Sequence, residues 1–223
     1  MEGPRTRLDA FRKRIDFFQS EQPKTGQILC YGSSIFTRWT GAYDRVPLED
    51  VIRMKDGSQA IVNHGIGGST SDQLLYYYPE AVRPWRPRAL VLQAGLNDLA
   101  KGYTPVEILM LQSRILEYAR EDFPGIRLFL CNLRPVVKPE SKNSTLWISH
   151  ALELDERLRE YASRHADVVL VNHLSFAPFY EEGGLGDYQK AREKLFIEDG
   201  VHLTQEGYDL YKAFLSGYLK DLL

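Results

Sequence analysis

The 223-residue chain contains only two cysteines, Cys30 and Cys131. A disulfide framework or a zinc site would need more ligands at closer spacing, so both read as small buried residues inside apolar stretches. Long hydrophobic runs are missing as well, and no segment approaches the length of a membrane span. The opening stretch MEGPRTRLDAFRKRIDFF mixes Arg and Lys with Asp9 and Asp16 and lacks a continuous apolar core. It does not read as a secretory signal, which makes the cytoplasm the simplest expected location. Neither sign of charge dominates: 28 Lys and Arg stand against 30 Asp and Glu, a formal net charge of −2. Nucleic acid and anionic membranes are therefore not expected partners. Linkers rich in Gly, Ser or Pro, internal repeats and low-complexity tracts are absent too. Residues 1–223 are expected to form one domain, with an amphipathic helix within residues 1–24 packed on it. Nothing in the sequence specifies an oligomeric state.

What is present is an ordinary globular composition, 43% apolar and 26% charged. Leu8, Phe11, Ile15 and Phe18 recur at helical spacing, so the chain is expected to open with that amphipathic helix, its basic residues forming a solvated face. Five apolar runs follow, at 27–32, 60–65, 89–95, 126–133 and 167–172. Each is nearly continuous rather than alternating, as in strands covered on both faces. Helical patterns lie between them at about 70–83, 105–121 and 145–164, the last carrying Leu146, Leu152, Leu158 and Tyr161. A final helix starts after Thr204, a suitable N-cap, and is expected to bury Tyr208, Tyr211, Phe214, Leu215 and Leu222. Such alternation predicts an α/β fold with a parallel sheet and helices on both faces.

In open parallel sheets ligands bind outside the carboxyl ends of the strands. The residues found there are Gly32-Ser33-Ser34, Gly65-Ile66-Gly67-Gly68-Ser69, Gly95-Leu96-Asn97-Asp98 and, further on, Asp199-Gly200-Val201-His202. The glycine cluster does not fit a dinucleotide fingerprint, because Thr70 stands where a third glycine is expected, and no P-loop is present. Glycine there can still expose a backbone N–H to a substrate. The Asn97-Asp98 pair reads equally as a turn with a helix cap or as an amide donor aimed at a developing oxyanion. Asp199 and His202, three residues apart, can share a face, so that the carboxylate fixes the tautomer of the imidazole. Glu198 competes for the acidic role. No HExxH motif or His/Cys cluster accompanies the pair, so no metal is expected. His64, His150, His165 and His173 have no comparable partners, and His150 and His165 are expected at the surface of a charged helix. A nucleophile, a His–carboxylate pair and several donors at one end of one sheet are what acyl transfer requires.

With those residues in place, the pattern resembles the SGNH hydrolase family, the GDSL esterases and lipases, whose four blocks are named for Ser, Gly, Asn and His. The blocks map onto Ser34, Gly68, Asn97 and His202, and the likeness runs from about residue 27 to the C-terminal helix. It implies a flavodoxin-like three-layer α/β/α sandwich with five parallel strands ordered 2-1-3-4-5. It also implies a serine esterase acting on a small-molecule ester without cofactor. The nucleophile would be Ser34, with Asp199 and His202 completing the triad, and Ser34, Gly68 and Asn97 would form the oxyanion hole. One position departs from the family: Ser33 stands where relatives usually carry Asp, and is expected to serve the turn. Short acyl esters, acetyl esters among them, are the expected substrates. A lysophospholipase or acyl-thioesterase on the same site, and a glycan- or protein-binding module that has lost hydrolysis, are the alternatives. Trp39, Tyr76–Tyr78 and Trp85 could bind a sugar ring or acyl chain, though core packing is the plainer role. The stretch 181–190 could be a lid or an ordinary surface loop.

Overall fold

The structure, a computed structural model, describes residues 5–137, 144–188 and 190–223. Five strands form one parallel sheet: β1 (Ile28–Gly32), β2 (Ile61–Gly65), β3 (Ala89–Gln93), β4 (Arg127–Cys131) and β5 (Val168–Val171). Their order is β2-β1-β3-β4-β5, and β1 pairs in register with Ile61–Gly65 on one side and Ala89–Gln93 on the other. The first three strands are buried along their whole length, which is why they read as continuous apolar runs. Cys30 and Cys131 lie within this sheet as buried free thiols.

Among the described residues, eight α-helices surround or decorate the sheet: α1 (Arg12–Ser20), α2 (Ser34–Thr37), α3 (Leu48–Val51), α4 (Ser71–Ala81), α5 (Leu96–Ala100), α6 (Pro105–Asp122), α7 (Ser144–Arg164) and α8 (Gln205–Leu219). Helix boundaries follow local chemistry. Thr104 accepts the Glu107 N–H, while the Glu107 side chain takes the Thr104 N–H in return, closing a capping box ahead of Pro105 at the first position of α6. The hydroxyl of Thr204 accepts the Gly207 N–H at the start of α8, as the sequence predicts.

The N-terminal helix is shorter than its periodicity suggests. Leu8–Phe11 form a 3-10 turn, Leu8 is exposed, and only Ile15 and Phe18 of α1 are buried. On α7, Leu146 and Leu152 face outward, contrary to expectation. The buried stripe of that helix runs through Trp147, Ala151, Leu154 and Leu158 instead. Leu222 is half-buried in a 3-10 turn beyond α8 rather than part of its buried face. Trp39, Tyr77, Tyr78 and Trp85 belong to the core, the plainer of the two roles expected for them; Tyr76 is exposed.

Two of the histidines set aside in the sequence are core residues with partners. His64 is stacked on Phe18 at 3.9 Å, with Nδ1 at 2.6 Å from the Ala81 carbonyl. His173 is fully buried between Asn132 and the Tyr211 hydroxyl. His150 and His165 are half-buried rather than on the surface, and His165 stacks on Tyr161 beyond the end of α7.

Candidate active site

Strand β1 ends at Gly32, and the chain turns at once into α2, whose first residue is Ser34. Two glycines allow that sharp turn. A Cβ on Gly32 would stand 2.3 Å from the Gln93 carbonyl oxygen, and one on Gly65 would stand 2.2 Å from the Thr37 N. The backbones of α2, β2 and β3 therefore approach more closely than side chains would permit. Asn63 Nδ2 donates to the Phe36 carbonyl at 2.9 Å and the Tyr208 hydroxyl donates to that of Ile35 at 2.8 Å, so α2 is held from the sheet and from α8. Ser33 serves the turn through its backbone. Its N–H donates to Gln93, and its carbonyl accepts the Phe36 and Thr37 N–H groups, while its hydroxyl makes no capping bond.

Opposite α2, the segment before α8 carries Asp199 and His202. Asp199 Oδ1 accepts the N–H groups of Val201 and His202, each at 2.9 Å, and Oδ2 lies 2.6 Å from His202 Nδ1. His202 Nε2 lies 2.8 Å from Ser34 Oγ. The three predicted catalytic side chains thus form one continuous hydrogen-bonded relay across residues far apart in sequence. Although partial burial opposes ionisation, the hydrogen bonds from the His202 and Val201 N–H groups and the His202 ring hold Asp199 down at about 2. Burial pushes the His202 imidazole below its ordinary 6.5. Asp199 pulls it up, and the charges of Arg38 and Arg134 push it further down. Both shifts keep the carboxylate charged and the imidazole neutral near pH 7, the state a general base requires.

The predicted donors sit on the other wall. Gly68 adopts φ +80°, a left-handed conformation open to glycine, with space around its α-carbon. Asn97 Nδ2 donates to the Ser69 carbonyl at 2.9 Å, and an amide nitrogen carries a second hydrogen. Asn97 is carried on α5, whose start is fixed by the neighbouring Asp98. That carboxylate is wholly buried and accepts the N–H groups of Ser71 and Gly95, joining the beginnings of α4 and α5. Burial raises Asp98 to about 6, against the pull of those donors. Asp98 is the cap that the Asn-Asp pair suggested, and Asn97 lines the cavity.

Ser34, Gly68, Asn97 and His202 line a single cavity of about 330 Å³, closed further by Arg38, Tyr43, Leu96, Ala100, Val136 and Trp147. A larger groove of about 610 Å³, between α1 and the β2 edge, contains no such nucleophile–base pair. Trp147, Tyr43 and Arg38 carried no site signal in the sequence. Trp147 belongs to the buried face of α7, a periodicity that looks the same whether a residue packs in a core or beside a cavity. Tyr188 packs edge-on to Trp147 at 6.0 Å, connecting stretch 181–190 to the cavity wall. Gln189 of that stretch lies outside the described residues; its base is closed by the Glu181 N–H to the Lys190 carbonyl.

Arg134, beyond β4, is a further residue that sequence reasoning passed over. It is buried, donates to the carbonyls of Pro135 and Val201, and lies over the Phe196 ring. By holding the carbonyl of Val201 it fixes the backbone between Asp199 and His202. The Val137 N–H to the Gly200 carbonyl, at 2.8 Å, ties the same two segments together.

The GDSL-like lipase/acylhydrolase family model matches residues 30–210, a span that includes every residue of the relay. No curated protein matches the chain in sequence. Among solved structures, a GDSL-like lipase from Bacteroides thetaiotaomicron is 22% identical, with a TM-score of 0.76 over 97% of this chain and 100% of the other. A candidate acylhydrolase from Bacteroides fragilis is also 22% identical, with a TM-score of 0.72 over 100% of both chains. At this identity the two likenesses concern the fold.

Proposed function

Because the chain belongs to the GDSL-like lipase/acylhydrolase family, hydrolases of ester bonds, we propose that it is a serine esterase working through an acyl-enzyme on Ser34, with short acyl esters as substrates. The observation that carries this reading is the relay from Asp199 through His202 to Ser34, at 2.6 and 2.8 Å. Ser34 Oγ attacks the ester carbonyl as His202 Nε2 takes its proton, and Asp199 stabilises the imidazolium. Negative charge on the carbonyl oxygen meets the N–H groups of Ser34 and Gly68 and the Asn97 amide. His202 returns the proton to the leaving alcohol. It then activates water, which releases the acid and restores Ser34. The chain's own residues account for each proton and each bond.

The acyl preference rests on the cavity. Its volume of about 330 Å³ is shared by both halves of the ester, and Leu96, Ala100, Val136 and Trp147 bound it. A series of p-nitrophenyl esters is expected to show the highest kcat/KM with the shortest acyl groups; a maximum at long chains would instead favour the lysophospholipase or thioesterase alternative. Replacing Ser34 with Ala is expected to lower kcat on the order of 10⁶-fold. Near-normal turnover in Ser34→Ala, with loss in Ser33→Ala, would transfer the nucleophile's role to Ser33. A fluorophosphonate probe should label the folded wild-type protein at Ser34, and absence of labelling would favour the binding-module alternative.

A further inference from the structure

Beside the catalytic cavity lies a second recess of about 240 Å³, lined by Arg38, Tyr43, Asp44, Arg45 and Leu203 among others. Arg38 and Tyr43 line both spaces, so the two adjoin. Arg38 follows the last residue of α2, one helical turn beyond Ser34. Its Nη1 is 3.6 Å from Asp199 Oδ2, a separation suited to charge attraction but long for a hydrogen bond. Its guanidinium lies over the Tyr43 ring at 5.4 Å.

Arg45 is anchored without being neutralised. It donates to the backbone carbonyls of Tyr43, Asp44 and Leu203, each at 3.1 Å, and its Nε is buried without an acceptor. Among the described residues no carboxylate pairs with it. The recess is thus lined by two guanidinium groups and the carboxylate of exposed Asp44; Arg38 also faces Asp199, which leaves Arg45 as the guanidinium without a paired carboxylate among the described residues. Guanidinium forks suit phosphate and carboxylate oxygens.

We propose that this recess is a subsite for an anionic group, a phosphate or a carboxylate, on the alcohol portion of the ester. The inference rests on the reading of Ser34 as the nucleophile. The direction follows from chemistry: the leaving alcohol must meet His202, and Arg38 stands on the side of His202 and Asp199. The acyl group is left to the wall formed by Leu96, Ala100, Val136 and Trp147.

The test compares three matched substrates: the mono-O-acetyl esters of glycerol, of glycerol 3-phosphate and of glyceric acid, assayed by acetate release. The wild-type protein is expected to favour one or both anionic esters over the neutral one by about tenfold or more in kcat/KM, chiefly through KM. Whichever anion wins identifies the group. Arg38→Gln and Arg45→Gln should collapse the anionic-to-neutral ratio, and Arg38→Lys and Arg45→Lys should restore part of it. A loop distorted by the substitution would depress all three esters together and leave the ratio standing. A wild-type ratio near one, or a ratio unchanged in both Gln variants, overturns the proposal. If no ester releases acetate, the short-acyl reading fails by itself, and calorimetry of Ser34→Ala with glycerol 3-phosphate, glycerate and glycerol decides the subsite. Binding of an anion but not glycerol upholds it; equal binding or none overturns it.

Discussion

Ser33 and Arg134 flank a small cavity of about 20 Å³ behind the nucleophile, which is room for about one water molecule. Relatives usually place a carboxylate at position 33, whereas here Arg134 is left as a buried cation without a carboxylate partner among the described residues. Four groups act on the His202 base. Besides burial, which lowers its proton affinity, Arg38 and Arg134 lower it further, Asp199 raises it, and the Ser34 hydroxyl donates to Nε2. A histidine below 6.5 remains a neutral base to lower pH. The acidic limb of kcat/KM is therefore expected to have its midpoint below 6.5. Ser33→Asp would set a carboxylate opposite Arg134, offset its charge and move that limb toward higher pH. A wild-type midpoint above 6.5, or an acidward shift in Ser33→Asp, would contradict this account. Asn97→Ala, which removes one oxyanion donor, is expected to cost about 10²–10³ in kcat with the acidic limb unmoved, so the same profiles separate the two roles.

At the scale of elements, α2 is the piece whose position matters most, and Gly65 on β2 sets it. An added methyl group there meets the Thr37 N at 2.2 Å and the Phe36 carbonyl carbon at 2.6 Å, both backbone atoms with no side-chain freedom to yield. Gly65→Ala is expected to destabilise the protein by about 1–3 kcal/mol and to lower kcat as well, because displacing α2 displaces Ser34. Gly68→Ala differs in kind. Its methyl group meets open space, but its φ of +80° costs about 1–2 kcal/mol for an L residue. Urea denaturation with kinetics on a neutral ester would test both; a Gly65→Ala protein as stable as wild type would show that α2 can yield. The same elements explain what was legible in the sequence. Buried strands and long helices announce themselves by apolar runs and periodicity. Helices α2, α3 and α5, of four or five residues, are too short to repeat a pattern. The loops that carry Ser34, Gly68 and Asn97 were readable because they lie just beyond the ends of β1, β2 and β3, while the choice of these residues within them came from the family resemblance; His202 was readable because Asp199 stands three residues before it. Arg38, Tyr43, Arg134 and Trp147 reach the site through the course of loops and the rotation of α7, which no local pattern encodes. Leu146 and Leu152 misled for the same reason: several helical phases fit the apolar residues of that segment.

The whole molecule carries its own pH dependence through histidines that take no part in the relay. Burial lowers His64 to about 4 and His173 to about 3, from an unfolded value near 6.5. Below 6.5 the unfolded chain takes up protons that the folded one refuses, so stability is complete above that pH and declines as pH falls. Each histidine can contribute up to about 1.4 kcal/mol per pH unit. Asp98 acts in the opposite sense. With its folded value raised to about 6, it favours the native state more as pH falls from about 6 toward 3.8, and so offsets one histidine there. The lowered carboxylates Asp199 and Glu107, both at about 2, act only at more acidic pH. With His202 lowered as well, three histidines against one aspartate leave a net loss between pH 7 and pH 5, expected at about 2–3 kcal/mol. His64 ties this loss to the N-terminal helix: its ring stacks on Phe18 of α1, beside Arg14, whose Nε donates to the Gly65 carbonyl at 3.1 Å. A proton on His64 would stand without an acceptor at Nε2 and close to the Arg14 charge. Urea midpoints measured at pH 7 and pH 5 should therefore fall with acid, and His64→Phe should flatten the decline while keeping the stack on Phe18. A wild-type midpoint equal or higher at pH 5 would mean that Asp98, not the buried imidazoles, governs this window.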